Sequence, residues 1–278
     1  MKKILFFSIL PALLVAGSIK YGFSKLDTSS SYKVTSKDGI LSAKLNFPAK
    51  YKTFFISYCS LYKGFEYKLL VSKLYNSSIK TGSDYDWRYD KVTVFSYSKD
   101  KLNSLVDYGF QISKDYNKKI KLLLGYNYKE TSHTWIDTYQ TTTKTNNTIF
   151  IKDKTLHFQE KFYTFFIGSD FRTKLFDKVS CVLSPKLLLS YIDTKDEHIL
   201  RDFFVTQNFR SIGYEIDVSL LYNISKNNKI NIFYRDKKLT KSHIKMKYHD
   251  RDDYVFQTLP SSYRYKENSL SLSIIHTF

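Results

Sequence analysis

Two short stretches hold residues whose types and spacing could do acid–base chemistry. In GSDYDWRYD, from Gly82 to Asp90, Asp84 and Asp86 stand two residues apart. In extended backbone such residues point the same way, so both carboxylates share a face. Two carboxylates that close repel when both are ionised, and one is pushed toward holding a proton. The pair can hold a water molecule between them and take or give its proton. In DTKDEHILRD, from Asp193 to Asp202, Asp196 and His198 repeat the spacing. A carboxylate beside an imidazole fixes its tautomer and raises its basicity, making His198 the candidate base for activating water. Either stretch alone also reads as a solvated acidic loop; the weight lies on the two together. The other five histidines, His133, His157, His243, His249 and His276, have no acid at this spacing and read as structural or solvated. No Cys/His set has zinc-site spacing, so no metal is expected.

These side chains need elements that set them opposite one another, and the period along the chain is two. In GYEIDVSLLY, Tyr214, Ile216, Val218, Leu220 and Tyr222 fall on one side, and Glu215, Asp217 and Ser219 on the other. DYGFQI (Asp107 to Ile112) and SLSLSIIHTF (Ser269 to Phe278) alternate in the same way. Each segment is a strand with one apolar and one polar face. A soluble sandwich alternates too. Polar faces of Asp, Glu, Gln and Ser suit a water-filled lumen, and 24 Tyr with 22 Phe supply interfacial girdles. The fold class expected is all-β, a ten-stranded antiparallel transmembrane β-barrel of the outer membrane. Its strands fall near 19–32, 40–61, 65–79, 101–114, 119–132, 154–172, 178–193, 204–223, 229–242 and 265–278. Long outward loops then fall near 33–39, 80–100, 133–153, 194–203 and 243–264, which puts both acidic stretches at the barrel mouth. Asp107, Glu215 and Asp217 are expected in the lumen.

The formal net charge of +18 with many aromatic residues invites a nucleic-acid reading, since cations meet phosphates and rings stack on bases. The N-terminus argues against it. Met1-Lys2-Lys3, the apolar run Ile4 to Val15 and the small residues Ala16-Gly17-Ser18 have the order of a secretory signal, expected over residues 1–17, with a single domain over 18–278. An exported chain does not meet cytoplasmic nucleic acid. The charge then suits an anionic lipid leaflet, or reflects a lysine-rich composition. Cys59 and Cys181 are read as unpaired strand residues.

At the two acidic stretches the chain resembles the omptins, ten-stranded outer-membrane aspartyl-type proteases of Gram-negative bacteria. DYDW (Asp84 to Trp87) is similar to their D-x-D-W motif, and DEHILRD (Asp196 to Asp202) to their D-E-H followed by R-D. GYNYKE (Gly125 to Glu130), QEKF (Gln159 to Phe162) and the terminal T-F extend the likeness more weakly along the chain. The resemblance implies that Asp196 and His198 activate the attacking water, and that Asp84 and Asp86 help bind it and stabilise the oxyanion stage. It implies no covalent intermediate and no cofactor beyond lipopolysaccharide as an activator. Family members cut beside basic residues, using acidic groups in the substrate pocket. The matching positions offer Thr194, with Asp193 beside it, and Asp27 within KLDTSSSYK. Lipopolysaccharide would be held on the outer face by Tyr126 and Lys161, with Lys129 standing in for an arginine. The expected partners are peptide or protein substrates, lipopolysaccharide and the outer membrane, with a monomeric chain. The alternative is a catalytically silent surface barrel acting as an adhesin. A diffusion porin fits less well, because ten strands leave a bore that side chains largely fill.

Overall fold

The computed structural model describes residues 17–278; the expected signal segment lies outside the described residues. Among the described residues every regular element is a β-strand. The strands are β1 (Gly17–Thr35), β2 (Leu41–Tyr62), β3 (Phe65–Ser78), β4 (Lys80–Arg88), β5 (Lys91–Asp115), β6 (Ile120–Thr142), β7 (Asn147–Ile151), β8 (Leu156–Phe176), β9 (Val179–His198), β10 (Phe203–Asn223), β11 (Asn228–His249) and β12 (Val255–Thr277). All neighbours pair antiparallel, and β12 pairs back onto β1, so the sheet closes on itself.

Twelve strands are present where ten are expected, and the difference lies in two interrupted staves. β3 and β4 both lie between β2 and β5, broken only at Ile79. β7 and β8 both pair with β6, one above the other. Counted around the circumference, the barrel has ten staves.

A second difference decides where the site stands. Much of what is expected as long loops is strand. GSDYDWR lies within β4, which turns through Tyr89 and Asp90, both at positive φ, straight into β5. Positive φ at both central residues defines the tight hairpin turn whose twist matches its strands. Most turns at this end are similarly short, so the walls run far beyond the apolar band.

That band is the outer face of the other half. Leu124, Ile167 and Leu187 are 58%, 60% and 58% exposed, and Leu122, Phe165, Leu189, Ile212, Leu270 and Leu272 join them. Apolar side chains in such a belt are the mark of a barrel wall facing lipid. Inside, the lumen has two tiers. Toward the acidic stretches it is packed by Tyr32, Phe47, Trp135, Phe158, Phe162, Ile192 and Tyr263 among others. The other tier is charged, with Asp107, Glu215 and Asp217 lining it as their strand parity predicts. Cys59 and Cys181 are both free thiols.

Candidate active site

Strand parity sets the site. On β4, Gly82, Asp84 and Asp86 alternate with Ser83, Tyr85 and Trp87. Gly82 is buried against the Trp135 indole, whose atoms lie 2.5–2.7 Å from where a Cβ would stand. A side chain here would displace the Trp135 ring, which lines the same cavity as Asp84, and this accounts for the glycine opening the motif. On β9, Thr194 and Asp196 are buried, each 2% exposed, and face the lumen. β9 ends at His198, whose carbonyl accepts from the backbone N–H of Arg201 and Asp202. Asp202 takes φ 62°, the left-handed conformation that aspartate tolerates, and returns the chain into β10.

The two strands stand far apart in the sheet, yet Asp84 and His198 line one cavity of about 60 Å³, with Arg201, Trp135 and Leu156. His198 Nε2 lies 3.4 Å from Asp196 Oδ2, and the Tyr32 hydroxyl donates to that same oxygen. The His198 ring stacks on Phe203 at 4.4 Å between centroids and 22° between planes. Two carboxylate oxygens, Asp84 Oδ1 and Asp196 Oδ1, are buried without a hydrogen-bond partner. A buried acceptor left unmade costs about 1–3 kcal/mol. Such atoms mark where a hydrogen-bonding molecule would be held.

The fields around these groups oppose one another. Burial, then the neighbouring Asp86 carboxylate, raises the Asp84 carboxyl to about 7. Burial also raises Asp86, against the opposing pull of Arg201 and His198. Burial disfavours the His198 imidazolium, but the Asp196 carboxylate outweighs it and, with Asp84, leaves His198 above its ordinary value. Tyr248, raised to about 12 by burial and by Asp196, Asp86 and Asp84, completes the wall.

The four residues Asp84, Asp86, Asp196 and His198 are thus brought together, and three further expectations are corrected. Asp27 is exposed on the outer wall, because Leu26 and Thr28 on either side point inward. Asp193 likewise alternates with buried Ile192 and Thr194, and lies outward near Lys161. Neither faces the lumen; of the three pocket positions only Thr194 does. Lys129 points into the lumen, 3% exposed, where Glu267 takes it at 2.5 Å. Tyr126 and Lys161 remain on the outer face, where Tyr126 meets Phe165 and Lys161 approaches Glu130 at 3.9 Å.

Sequence spacing missed Tyr32, Tyr248 and Trp135, which come from other strands. Arg201 was within reach, inside the DEHILRD motif. His133 has an acid partner after all: Asp100 lies 3.1 Å away in the core, from a different strand.

No family model matches the chain, and no curated protein sequence matches it. Among solved structures it superposes on the outer membrane protease OmpT from Escherichia coli, an omptin, with a TM-score of 0.82 at 12% identity, over 95% of this chain and 97% of that one. At that identity the likeness establishes the fold. The translocator domain of autotransporter NalP from Neisseria meningitidis reaches 0.45 at 8% identity, over 98% of this chain and 93% of that one. OprG from Pseudomonas aeruginosa reaches 0.42 at 10%, over 95% of each. Neither score carries an argument about this chain.

Proposed function

We propose that the chain is an endopeptidase of a bacterial outer membrane, cleaving peptides at the mouth of the barrel that faces outward from the cell. One observation carries the reading: Asp84 of the acid pair on β4 and His198 of the Asp–His couple on β9 line one cavity, and each pair presents a buried carboxylate oxygen without a partner among the described residues. The barrel architecture shared with an outer membrane protease supports it. In this reading Asp196 accepts from His198 Nε2 and leaves Nδ1 as the base. A water held toward Asp84 and Asp86 loses its proton to His198 and attacks the peptide carbonyl. The proton that the Asp84–Asp86 pair retains near neutral pH serves the oxyanion, which needs a donor there.

The base works only when neutral, so the rate falls as pH drops through the raised pKa of His198. kcat/KM should therefore follow a bell, rising as His198 loses its proton and falling as Asp84, held at about 7, loses its own. Tyr32→Phe removes a donor that draws charge from Asp196, so the carboxylate holds the imidazolium more firmly and the acid limb moves to higher pH. The lost bond to a charged group is worth about 1.5–3 kcal/mol, so roughly a tenfold drop in rate at neutral pH should accompany the shift. A pH–rate profile of both proteins checks the two effects; an unmoved acid limb removes Tyr32 from the mechanism.

The decisive experiment is cleavage of a mixed peptide library by refolded protein, with and without lipopolysaccharide. Hydrolysis supports the protease; a folded barrel that cuts nothing supports the silent surface protein. With Asp27 and Asp193 facing outward, a basic substrate side chain meets Thr194 rather than a pocket carboxylate, and Glu160 nearby is only 1% exposed and already bonded by Ser30 and Tyr263. Arg or Lys beside the cut bond should therefore be favoured less than about tenfold over neutral residues, since an unpaired cation gains nothing from desolvation. A stronger preference in the cut-site distribution would mean that another acid reaches the pocket. Lipopolysaccharide, if it activates, would meet Tyr126 and Lys161 without the help of Lys129.

A further inference from the structure

The charged tier of the lumen encloses a cavity of about 160 Å³, separate from the candidate active site. That is room for several water molecules or one small polyatomic ion. Its carboxylates are largely committed. Lys186 reaches Glu215 at 2.7 Å and Asp217 at 2.6 Å, and Arg235 reaches the same two at 3.2 and 2.9 Å. Lys129 takes Glu267, and Asp107 accepts from Asn127 at 2.8 Å. Beside the cavity, Lys121 takes Glu66 at 2.6 Å. Lys237 lines the cavity too and, among the described residues, forms no ion pair, with the Glu267 carboxylate acting on it.

Lys20 on β1 and Lys68 on β3 line this cavity, and among the described residues neither has an ion pair. They lie on either side of β2 and two residues out of register, Lys20 opposite Ser57 and Lys68 opposite Cys59, about 12 Å between backbones, a gap that two long side chains can close. Lys20 Nζ has the Asn231 side-chain oxygen at 2.6 Å and lies over the Phe55 and Phe233 rings at 5.7 and 5.3 Å. These are neutral partners. Both feel the further cations Lys186 and Arg235, while Asp217 acts on Lys20 and Glu66 on Lys68 in the opposite sense. Six cations line the cavity against four carboxylates, an excess that a bound anion would offset. The Ser57 hydroxyl lines the same space and can donate to oxygen, as can whichever of Ser24 and Ser271 accepts in the 2.7 Å bond between them.

We propose that this cavity is a binding site for a small tetrahedral oxyanion of the phosphate class, held between the ammonium groups of Lys20 and Lys68. Lysine binds such a group as a point charge, and the serine hydroxyls supply the remaining bonds. The site is independent of peptide hydrolysis and stands whether or not the barrel is a protease.

The test uses the refolded barrel in nonionic micelles, which carry no lipid phosphate, with ionic strength held constant by chloride. Equilibrium dialysis with inorganic phosphate should show saturable binding of one phosphate per chain. Lys20→Met and Lys68→Met should each weaken it at least tenfold, while Lys25→Met, outward on β1, leaves it unchanged. Phosphate should also raise the unfolding midpoint of the wild-type barrel, as a ligand of the folded state must. That measurement decides the matter if a Met variant fails to fold. No saturable binding, no rise in midpoint, or equal weakening by Lys25→Met overturns the proposal.

Discussion

Replacing His198 by Ala should lower kcat/KM for peptide cleavage by about a hundredfold to ten-thousandfold, the range that a positioned general base contributes. The barrel should still fold. His198 closes β9 at its very end and is 15% exposed, with Phe203 against one ring face, so its removal opens the cleft rather than the core. Asp196 keeps the Tyr32 hydroxyl and is not left as a bare buried charge. Asp84→Asn removes the opposite wall and should cost a similar factor. Groups that act on one water fail together, so the double variant should lose little more than the worse of the two single ones. Steady-state kinetics on a single peptide, with strand circular dichroism as the folding control, measures all three. A His198→Ala protein that keeps most of its rate would place the chemistry elsewhere, and additive losses would mean that the two walls do not share a water.

What the sequence made legible, and what it hid, follows from how barrels use side chains. Alternation placed Glu215 and Asp217 inside correctly because large apolar residues flank them on the lipid side, and a one-residue error would turn every one of those outward. Around Asp27 the run Asp-Thr-Ser-Ser-Ser offers no such contrast, so the inward face could not be read. Lys129 is a long cation that looks suited to a surface; its interior position depends on Glu267, 138 residues away in sequence. His133 and Asp100 are partners only because β5 and β6 pair. The strand ends read as loops in the sequence because, beyond the apolar band, both faces of a wall turn polar and the period of two fades. The catalytic candidates were legible for the opposite reason: each pair is local, and extended backbone alone aligns it.

The support beneath the site carries the largest expected change in stability. Phe158→Ala should destabilise the barrel by about 3–5 kcal/mol, as truncation of a fully buried Phe does. Phe158 is fully buried and stacks on Phe47 at 3.8 Å between centroids and 10° between planes. Tyr32 lies 6.3 Å from the same ring, and Phe158 is the cross-strand neighbour of Asp196. The ring therefore seats both the hydroxyl and the carboxylate that orient His198. Misplacing a catalytic group by about 1 Å can cost a hundredfold in rate, so activity should fall even under conditions where the variant remains folded. Phe158→Leu keeps most of the volume and should lose less on both counts. Urea unfolding in lipid vesicles, read beside kcat/KM, separates the two effects. Loss of stability with full activity would show that Tyr32 and Asp196 are held by their own strands, and that the aromatic cluster only fills the barrel.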